Sequence, residues 1–229
     1  MTRVLTRAPI YRSSLTRLLD DLGVVERLDS GAAFAEKLGM WLDFRHAITL
    51  HGIHNTPLTA VMRPAHQPSA HAAMSAELTR RRALLTASIQ LPLPSLDLSL
   101  KASTAYEPYR RHHLARQQEM ALQVRQLRAK VRGTLRSASS NLQKLATLDA
   151  TFEHMLGERE SKLLSTVPAL LEKHFKRLHK EHAPSADTTW LSSFGKALQA
   201  ALLAELEVRL QPSAGLIEAY NEEMKHHHE

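Results

Sequence analysis

The sequence predicts an all-α protein, and three observations lead to this prediction. Hydrophobic residues make up 43% of the chain but aromatic residues only 5%, so leucine and alanine must supply most of the core. Because strands favour β-branched and aromatic side chains, this balance favours helices. Apolar residues recur at the helical spacings of three and four along most segments. No proline interrupts the chain between Pro108 and Pro168, so two long helices are expected there.

The predicted architecture is a small N-terminal helical bundle followed by a long helical hairpin and C-terminal helices. We assign residues 1–52 to the bundle, residues 53–69 to a linker and residues 70–229 to a long-helix domain. The hairpin occupies about 105–165 within that domain. A chain of 229 residues is long enough to bury a core of this kind.

Three short helices are predicted in the N-terminal bundle. Ser13 or Ser14 can cap the first helix, which ends near Gly23 because glycine readily leaves a helix. A second helix follows Ser30, and a third ends near Leu50. A unit of three helices also raises the idea of a DNA-binding helix-turn-helix, but few basic residues lie on any one of these helices. We therefore expect this bundle to pack rather than to bind DNA.

Prolines divide the middle of the chain into loops and helices. The segment from His51 to Pro68 contains three prolines and is predicted to be a loop. A helix over about 70–91 follows, and residues 92–104 form a second connector. The first long helix runs over 108–136, a length of about 43 Å at 1.5 Å per residue.

Serine, threonine and proline delimit the remaining helices. Serines at 137, 139 and 140 form the hairpin turn, and the second long helix follows it. The predicted inner face of that helix consists of Leu142, Leu145, Leu148, Phe152 and Met155. Pro168 breaks the chain before a helix over 169–181, and a further helix begins at Thr188 or Thr189. We expect that helix to end before Pro212, with a last short helix after it.

The first long helix is predicted to carry an apolar seam beside a basic ridge. The seam comprises Met120, Val124, Leu127, Val131 and Leu135, which lie on one side of a helix. The ridge comprises Arg125, Arg128, Arg132 and Arg136, about 100° further round. The spacing of the seam fits either the hairpin or a coiled-coil oligomer, and its short length favours the hairpin. Other faces leave homo-oligomerisation open.

The positive charge of the chain is concentrated in one region. The net charge is +7, and ten basic residues against two acidic residues lie between Lys101 and Lys144. Guanidinium groups match phosphate oxygens, and each neutralised phosphate releases counterions, so this clustering predicts binding to double-stranded DNA. The predicted nucleic-acid-binding residues are Arg80, Arg81, Arg82, Arg110, Arg111, Arg125, Arg128, Arg132 and Arg136. An acidic protein partner and a plain solvated face are the alternatives.

No catalytic or metal-binding site is predicted. The chain has no cysteine and no motif for nucleotide or serine-hydrolase chemistry. Histidine pairs at 51 and 54 and at 179 and 182 have helical spacing but no accompanying metal-site motif. Glu158, Glu160 and Lys162 resemble the end of a nuclease signature that requires strands, whereas this segment is predicted to be helical. We expect a protein that is not an enzyme and that holds neither metal nor cofactor.

The protein is expected to be cytosolic. Its first residues lack the apolar stretch of a signal peptide, and no run of about 18 uncharged apolar residues occurs that could span a membrane. Direct insertion into a membrane is therefore not expected.

Several segments of the chain resemble one bacterial family. They are SSLTRLLDDL, FAEKLGMWLDFRHAITL, YEPYRRHHLARQQEMALQVRQLRAKVRGTL, LATLDATFEHMLGERESKLLSTVPALLEKHFKRL and ALLAELEVRLQPSAGLIEAY. The family comprises proteins encoded beside MotA/MotB-like motor genes and grouped as the ZorF component of type III Zorya anti-phage defence. The resemblance implies a cytosolic component that acts with a companion protein of the same operon, downstream of a membrane motor that senses phage. It supplies no catalytic residue.

Three functional hypotheses follow from these observations. The first is a component of phage defence that binds phage DNA through its basic helical face. The second is a non-catalytic scaffold or adaptor that links the companion protein to the motor without binding nucleic acid. The third is a metal-dependent nuclease, for which Glu158 and Glu160 are the first candidates.

Overall fold

The fold is described by a computed structural model for residues 13–24, 44–55, 68–95, 101–182 and 188–226. Within these ranges all regular secondary structure is helical, which confirms the predicted all-α class. The helices are α1 (Ser14–Asp21), α2 (Phe44–Asn55), α3 (Pro68–Ile89), α4 (Ala102–Arg136), α5 (Ser140–Leu164), α6 (Val167–His182) and α7 (Thr189–His226). None of these helices has the length and apolar character needed to cross a membrane. The helix predicted after Ser30 lies outside the described residues.

Helices α4 and α7 form a parallel pair at the centre of the molecule. The ring centroid of Tyr106 lies 6.2 Å from that of Phe194, and further along both helices Gln117 donates to Glu205 at 2.8 Å. The contacts advance in the same direction on both helices, so the two helices are parallel. All five seam residues of α4 are buried, as predicted, and they share one core with buried leucines of α7.

Two helices run antiparallel to α4 on its flanks. Ser88 and Arg81 of α3 contact Glu119 and Gln123 of α4, respectively, so α3 runs in the opposite direction. Helix α5 returns along α4 after a turn at 137–139 and completes the predicted hairpin. In addition, α1 packs against α7, α2 packs against α5, and α6 packs against both α4 and α7.

Local signals set several helix ends where the sequence predicted them. Ser13 Oγ accepts a hydrogen bond from the backbone N–H of Thr16 at 3.2 Å. Ser139 Oγ accepts one from the backbone N–H of Leu142 at 3.1 Å. Each bond satisfies an N–H group that has no partner within its own helix. After α1 the chain turns at Gly23, whose φ of 63° is unfavourable for residues with a side chain.

The few aromatic residues are concentrated where α4, α6 and α7 meet. The cluster comprises Tyr106, Tyr109, Phe175, Trp190 and Phe194, with neighbouring ring centroids 5.1–6.2 Å apart. The Tyr106 hydroxyl donates to the backbone oxygen of Pro168 at 2.7 Å, so its buried polar atom is satisfied. The cluster therefore joins three helices through ring contacts and one hydrogen bond.

Two prolines that were expected to bound helices lie inside them. Helix α4 begins at Ala102 rather than Pro108, and α7 continues through Pro212 to His226. An internal proline costs roughly 3 kcal/mol because it removes a hydrogen bond and crowds the preceding turn. In α4 the turn before Pro108 buries Tyr106, and in α7 the turns after Pro212 bury Ile217. Burial of these side chains offsets the cost of the proline.

Helices α2 and α5 also depart in detail from the prediction. Helix α2 extends to Asn55, into the segment predicted as a loop, because the first proline of that segment is Pro57. On α5, Phe152 is 36% exposed although it was assigned to the inner face. The small Ala146 is fully buried, so the close contacts of α5 are made around this position.

Gly133→Ala is expected to raise the free energy of unfolding by about 0.5–1 kcal/mol. Gly133 lies inside α4, and a Cβ atom there would meet no neighbour within 4 Å, so helix propensity improves without a clash. Gly195→Ala is the matched comparison inside α7. Its Cβ would lie 2.8 Å from Leu93 Cδ1, so the gain is reduced or lost. Equilibrium urea unfolding measures both variants, and an equal gain in the two would contradict this packing.

Candidate functional site

Two arginines of the predicted ridge lie inside the hairpin rather than on its surface. Arg128 forms two hydrogen bonds to the Asp149 carboxylate, at 2.6 and 2.9 Å. Arg132 lies 3.1 Å from Asp149 and 2.6 Å from Glu153. Only 13% of the Arg128 side chain and 10% of the Arg132 side chain are exposed. The predicted ridge is therefore not one continuous exposed surface.

The geometry of the hairpin explains this correction. The turn at 137–139 brings Asp149 and Glu153, four residues apart on α5, opposite Arg128 and Arg132, four residues apart on α4. Both acids lie just after Lys144, the last residue of the basic segment 101–144 described above. Two acidic residues four positions apart that face two arginines four positions apart across a predicted turn are the sequence signal for these ion pairs. Burial by itself lowers the pKa of Arg128, but the Asp149 carboxylate outweighs burial and the pKa is raised.

The arginine cluster of α3 is also held by carboxylates. Arg80 and Arg81 contact Glu77 at 2.6 and 2.9 Å, and their hydrogen bonds lower the pKa of Glu77 to about 2. Arg82 contacts Glu207 of α7 at 3.0 Å. All three arginines therefore have a carboxylate partner within the fold, and Arg82 links α3 to α7.

Arg110 and Arg111 remain at the surface with one distant partner. Their guanidinium nitrogens lie 3.7 and 3.9 Å from the Glu107 carboxylate, which is beyond hydrogen-bond distance. More than half of each arginine side chain is exposed. Exposed ion pairs contribute only about 0–1 kcal/mol, so both arginines can turn toward a ligand.

Three cations on the outward side of α4 have no ion pair within the described part of the chain. We call this surface the outer α4 face; it consists of the exposed residues Leu122, Arg125, Gln126, Ala129, Lys130, Gly133 and Arg136. Lys130 was not among the predicted residues. Arg125 and Arg136 lie about 16 Å apart along the helix, and no acidic residue is exposed between them. Of the predicted ridge, only these two arginines reach the solvent freely.

A buried polar network joins α4 to α7. The fully buried Glu205 carboxylate accepts hydrogen bonds from Arg209, at 2.7 and 2.9 Å, and from Gln117, at 2.8 Å. His113, also fully buried, lies 3.6 Å from the same carboxylate. Burial raises the pKa of Glu205, but His113, Arg209 and Gln117 outweigh burial, so the pKa lies below its usual range.

This network was not found from the sequence. A glutamate and an arginine four residues apart within the apolar stretch of α7 were the available signal. Both oxygens of Glu205 are occupied, one by Arg209 and the other by Gln117. The carboxylate therefore fixes the register of α4 against α7 and has no free oxygen pointing toward a ligand.

A groove of about 300 Å³ lies between the first half of α3 and the second half of α4. We call it the α3–α4 groove, and its walls are mainly apolar. They consist of Ala70, Ala73, Met74, Glu77, Leu127, Lys130, Val131 and Thr134. Lys130 belongs both to this groove and to the outer α4 face, so the two features are neighbours on the surface.

The histidine pairs contact other side chains of the protein. His51 is hydrogen-bonded to the Asn55 side chain at 2.8 Å. The rings of His179 and His182 each lie 6.0 Å from Trp190. Across the ranges that the structure describes, no group of three or more potential metal-ligating side chains occurs.

The acidic pair considered for a nuclease lies on a helix. Glu158 and Glu160 are both exposed on α5. Two residues along a helix turn the chain by about 200°, so the two carboxylates project to different sides. A strand would place both side chains on one face, and the nuclease hypothesis therefore gains no support from this arrangement.

Comparisons with known proteins identify a family but no function. A family model described as a protein of unknown function, DUF3348, matches residues 1–222. No curated protein and no solved structure matches the chain. The function must therefore be inferred from the surfaces of the molecule.

Asp149→Ala is expected to lower the free energy of unfolding by roughly 3 kcal/mol. The substitution removes the carboxylate that Arg128 and Arg132 share and leaves both guanidinium groups largely buried. Arg125→Ala is the matched control, because an exposed and unpaired arginine should change stability by no more than about 0.5 kcal/mol. Urea unfolding measures both. A small effect of Asp149→Ala would mean that the two arginines can reach the solvent at little cost.

The stability of the protein is expected to depend on Glu205 in acid. The folded pKa lies below the unfolded value of 4.5, so the charged carboxylate stabilises the fold above that pH. This contribution is lost as the pH falls through the folded pKa. Glu205→Gln removes the titrating carboxyl group and keeps the size of the side chain. The difference in the free energy of unfolding between the wild type and this variant should therefore become smaller as the pH falls from about 7 to about 3. Urea unfolding at both values tests this, and a constant advantage would contradict it.

Proposed function

The chain belongs to the DUF3348 family, and we propose that it is a non-catalytic helical adaptor that binds a partner protein. The observation that supports this proposal is the outer α4 face, where cations without ion pairs lie among exposed apolar and small side chains and one amide, Gln126. Leu122 is 56% exposed at one end of this surface. Such a mixture fits an acidic amphipathic helix, which would bring carboxylates to the cations and apolar side chains to Leu122.

The number of free cations favours a protein partner over tightly bound DNA. Nine phosphate contacts would give log K a salt slope of about −8, whereas the three cations of the outer α4 face give about −3, and the addition of Arg110 and Arg111 brings the slope to about −4.5. Arg128 and Arg132 can contribute only by leaving Asp149, and a buried charge without its partner costs several kcal/mol. Three to five cations are therefore a smaller basis for DNA binding than the nine predicted arginines, but the three on the outer α4 face are sufficient for one face of a partner helix.

The proposed partner is the companion protein of the same defence operon. This part of the proposal rests on the resemblance to the ZorF component of type III Zorya anti-phage defence. In that setting the protein would work in the cytosol, and it would link the companion to a MotA/MotB-like membrane motor. The adaptor role requires recognition and no chemical step.

Double-stranded DNA is the second candidate ligand, and the same three cations favour it. No acidic residue is exposed among them, and the exposed Arg110 and Arg111 extend the positive charge along α4. Binding of this kind would involve phosphates rather than base edges, so it would be weak, salt-sensitive and independent of sequence.

Reversing the charge of the outer α4 face tests the adaptor proposal. The variant combines Arg125→Glu, Lys130→Glu and Arg136→Glu, three exposed positions without ion pairs in the described ranges. We expect its affinity for the purified companion protein to fall at least about tenfold, because acidic groups would then oppose acidic groups. Titration calorimetry measures the affinity, and circular dichroism verifies that the variant is folded.

A matched control and a second variant separate the two ligands. Reversing Lys173, Lys176 and Lys180 on α6 changes the net charge equally on another surface and should leave companion binding unchanged. Leu122→Ser should weaken companion binding but should not affect DNA binding in a gel-shift salt titration. If only DNA binding responds to the reversal on α4, DNA is the ligand of this face. If companion binding survives it, the adaptor proposal is wrong.

A further inference from the structure

The outer surfaces of α3 and α4 meet along a crevice, which we call the α3–α4 crevice. Its floor is closed by Arg81 of α3, which donates hydrogen bonds to Gln123 and Gln126 of α4. The α3–α4 groove lies at one end of the crevice, and at the other end Ser88 donates to Glu119. The crevice is therefore about 20 Å long at 1.5 Å per residue, which is enough to hold several turns of a partner helix.

Two exposed leucines lie on opposite walls of the crevice. Leu84 of α3 is 57% exposed, and Leu122 of α4 is 56% exposed. Leu84 lies three residues after Arg81 and four residues before Ser88, so helical spacing turns all three side chains toward α4. Leu122 lies one turn before Gln126, which accepts from Arg81. The crevice thus has an apolar edge on both helices at one level and an apolar recess, the groove, at another.

The charge around the groove is positive. Lys130 lines the groove and has no ion pair within the described ranges. Glu77 is the one acidic residue among the groove walls, and its two oxygens are taken by Arg80 and Arg81 of the same helix, at 2.6 and 2.9 Å. One carboxylate and three cations give a net charge of +2, and 60% of the Arg80 side chain is exposed. An occupant of the groove is therefore expected to carry negative charge beside its apolar part.

We propose that the α3–α4 crevice binds an acidic amphipathic helix of the partner protein, with one apolar side chain in the groove, a second between Leu84 and Leu122, and a carboxylate beside Lys130. This inference rests on the adaptor proposal and extends the binding surface from α4 to α3. An amphipathic helix that lays its apolar face in a groove is a recurring mode of recognition. An enclosed cavity of roughly 150 Å³ already accepts benzene, so a groove of about 300 Å³ has room for a leucine or methionine side chain.

The two apolar contacts define the sequence pattern of the partner helix. Along α4 the groove is centred near Lys130, eight residues after Leu122. Along α3 it is centred near Ala73, eleven residues before Leu84. At 1.5 Å per residue the two contacts lie about 12–17 Å apart. The partner helix therefore carries two apolar residues about 8 to 11 positions apart on one side, with acidic residues three or four positions from the one in the groove.

Leu84→Ser tests whether α3 takes part in binding. We expect the affinity for the purified companion protein to fall at least about tenfold, because the variant removes an apolar contact of leucine size. Leu163→Ser is the matched control: Leu163 is also 57% exposed but lies on α5, so its affinity should equal that of the wild type. Titration calorimetry measures the affinity, and circular dichroism verifies the fold. A Leu84→Ser variant that binds as the wild type does would overturn this inference.

Alkylation of introduced cysteines tests occupation of the groove, because the native chain has no cysteine. Ala73 lines the groove, whereas the neighbouring Ala72 is also exposed but points about 100° away. With the companion at about ten times its Kd, alkylation of Ala73→Cys should slow about tenfold, because the groove is then free for only about a tenth of the time. Alkylation of Ala72→Cys should be unchanged. Equal rates with and without the companion for Ala73→Cys, or equal protection of both variants, would overturn this inference.

The outcomes separate this inference from the adaptor proposal. If the charge reversal on α4 weakens companion binding but Leu84→Ser and Ala73→Cys show no effect, the adaptor proposal stands and the position over the crevice is wrong. If none of these variants responds, both are wrong. If binding responds to Leu84→Ser but not to the charge reversal, the acidic helix is wrong. Protection of Ala73→Cys that appears without the companion and increases with the concentration of the protein itself would assign the crevice to a second copy and overturn this inference.

Discussion

A charge that leaves water must be paired within the fold, and this constraint decides which cations of the molecule remain available to a ligand. The Asp149 carboxylate accepts hydrogen bonds from two arginines of α4, and the Glu205 carboxylate accepts hydrogen bonds from Arg209 and Gln117. The low-dielectric interior makes these contacts costly to break. The free positive surface is consequently smaller than the composition indicates, because most of the arginines expected to meet DNA hold carboxylates of the protein instead.

The sequence was informative where structure depends on near neighbours and misleading where it depends on distant ones. The seam of α4 and the caps at Ser13 and Ser139 involve residues within a few positions, and the structure reproduces them. Pro212 lies inside α7 because distant helices bury the turns around it, which no local pattern reports. The environment of Arg128 likewise depends on Asp149, 21 residues away across the hairpin. DNA binding and a role in phage defence stay predictions.

Helices α3 and α4 present two neighbouring surfaces of different character. Helix α3 offers apolar and small side chains with a groove beside them, and the outer α4 face offers unpaired cations. Lys130 belongs to both surfaces, so a ligand bound on the outer α4 face would also lie beside the α3–α4 groove.

The parallel pairing of α4 with α7 has a consequence for biosynthesis. Gln117 and Glu205 are 88 residues apart, and α7 follows in the chain every helix that it packs against. At about 5–20 residues per second, a ribosome needs roughly 4–18 s to deliver α7 to an already emerged α4. During that interval the side of α4 that packs against α7 is uncovered, while its other sides can already contact α3, α5 and α6. A chain that ends before α7 would therefore expose the apolar side chains of every helix that α7 covers.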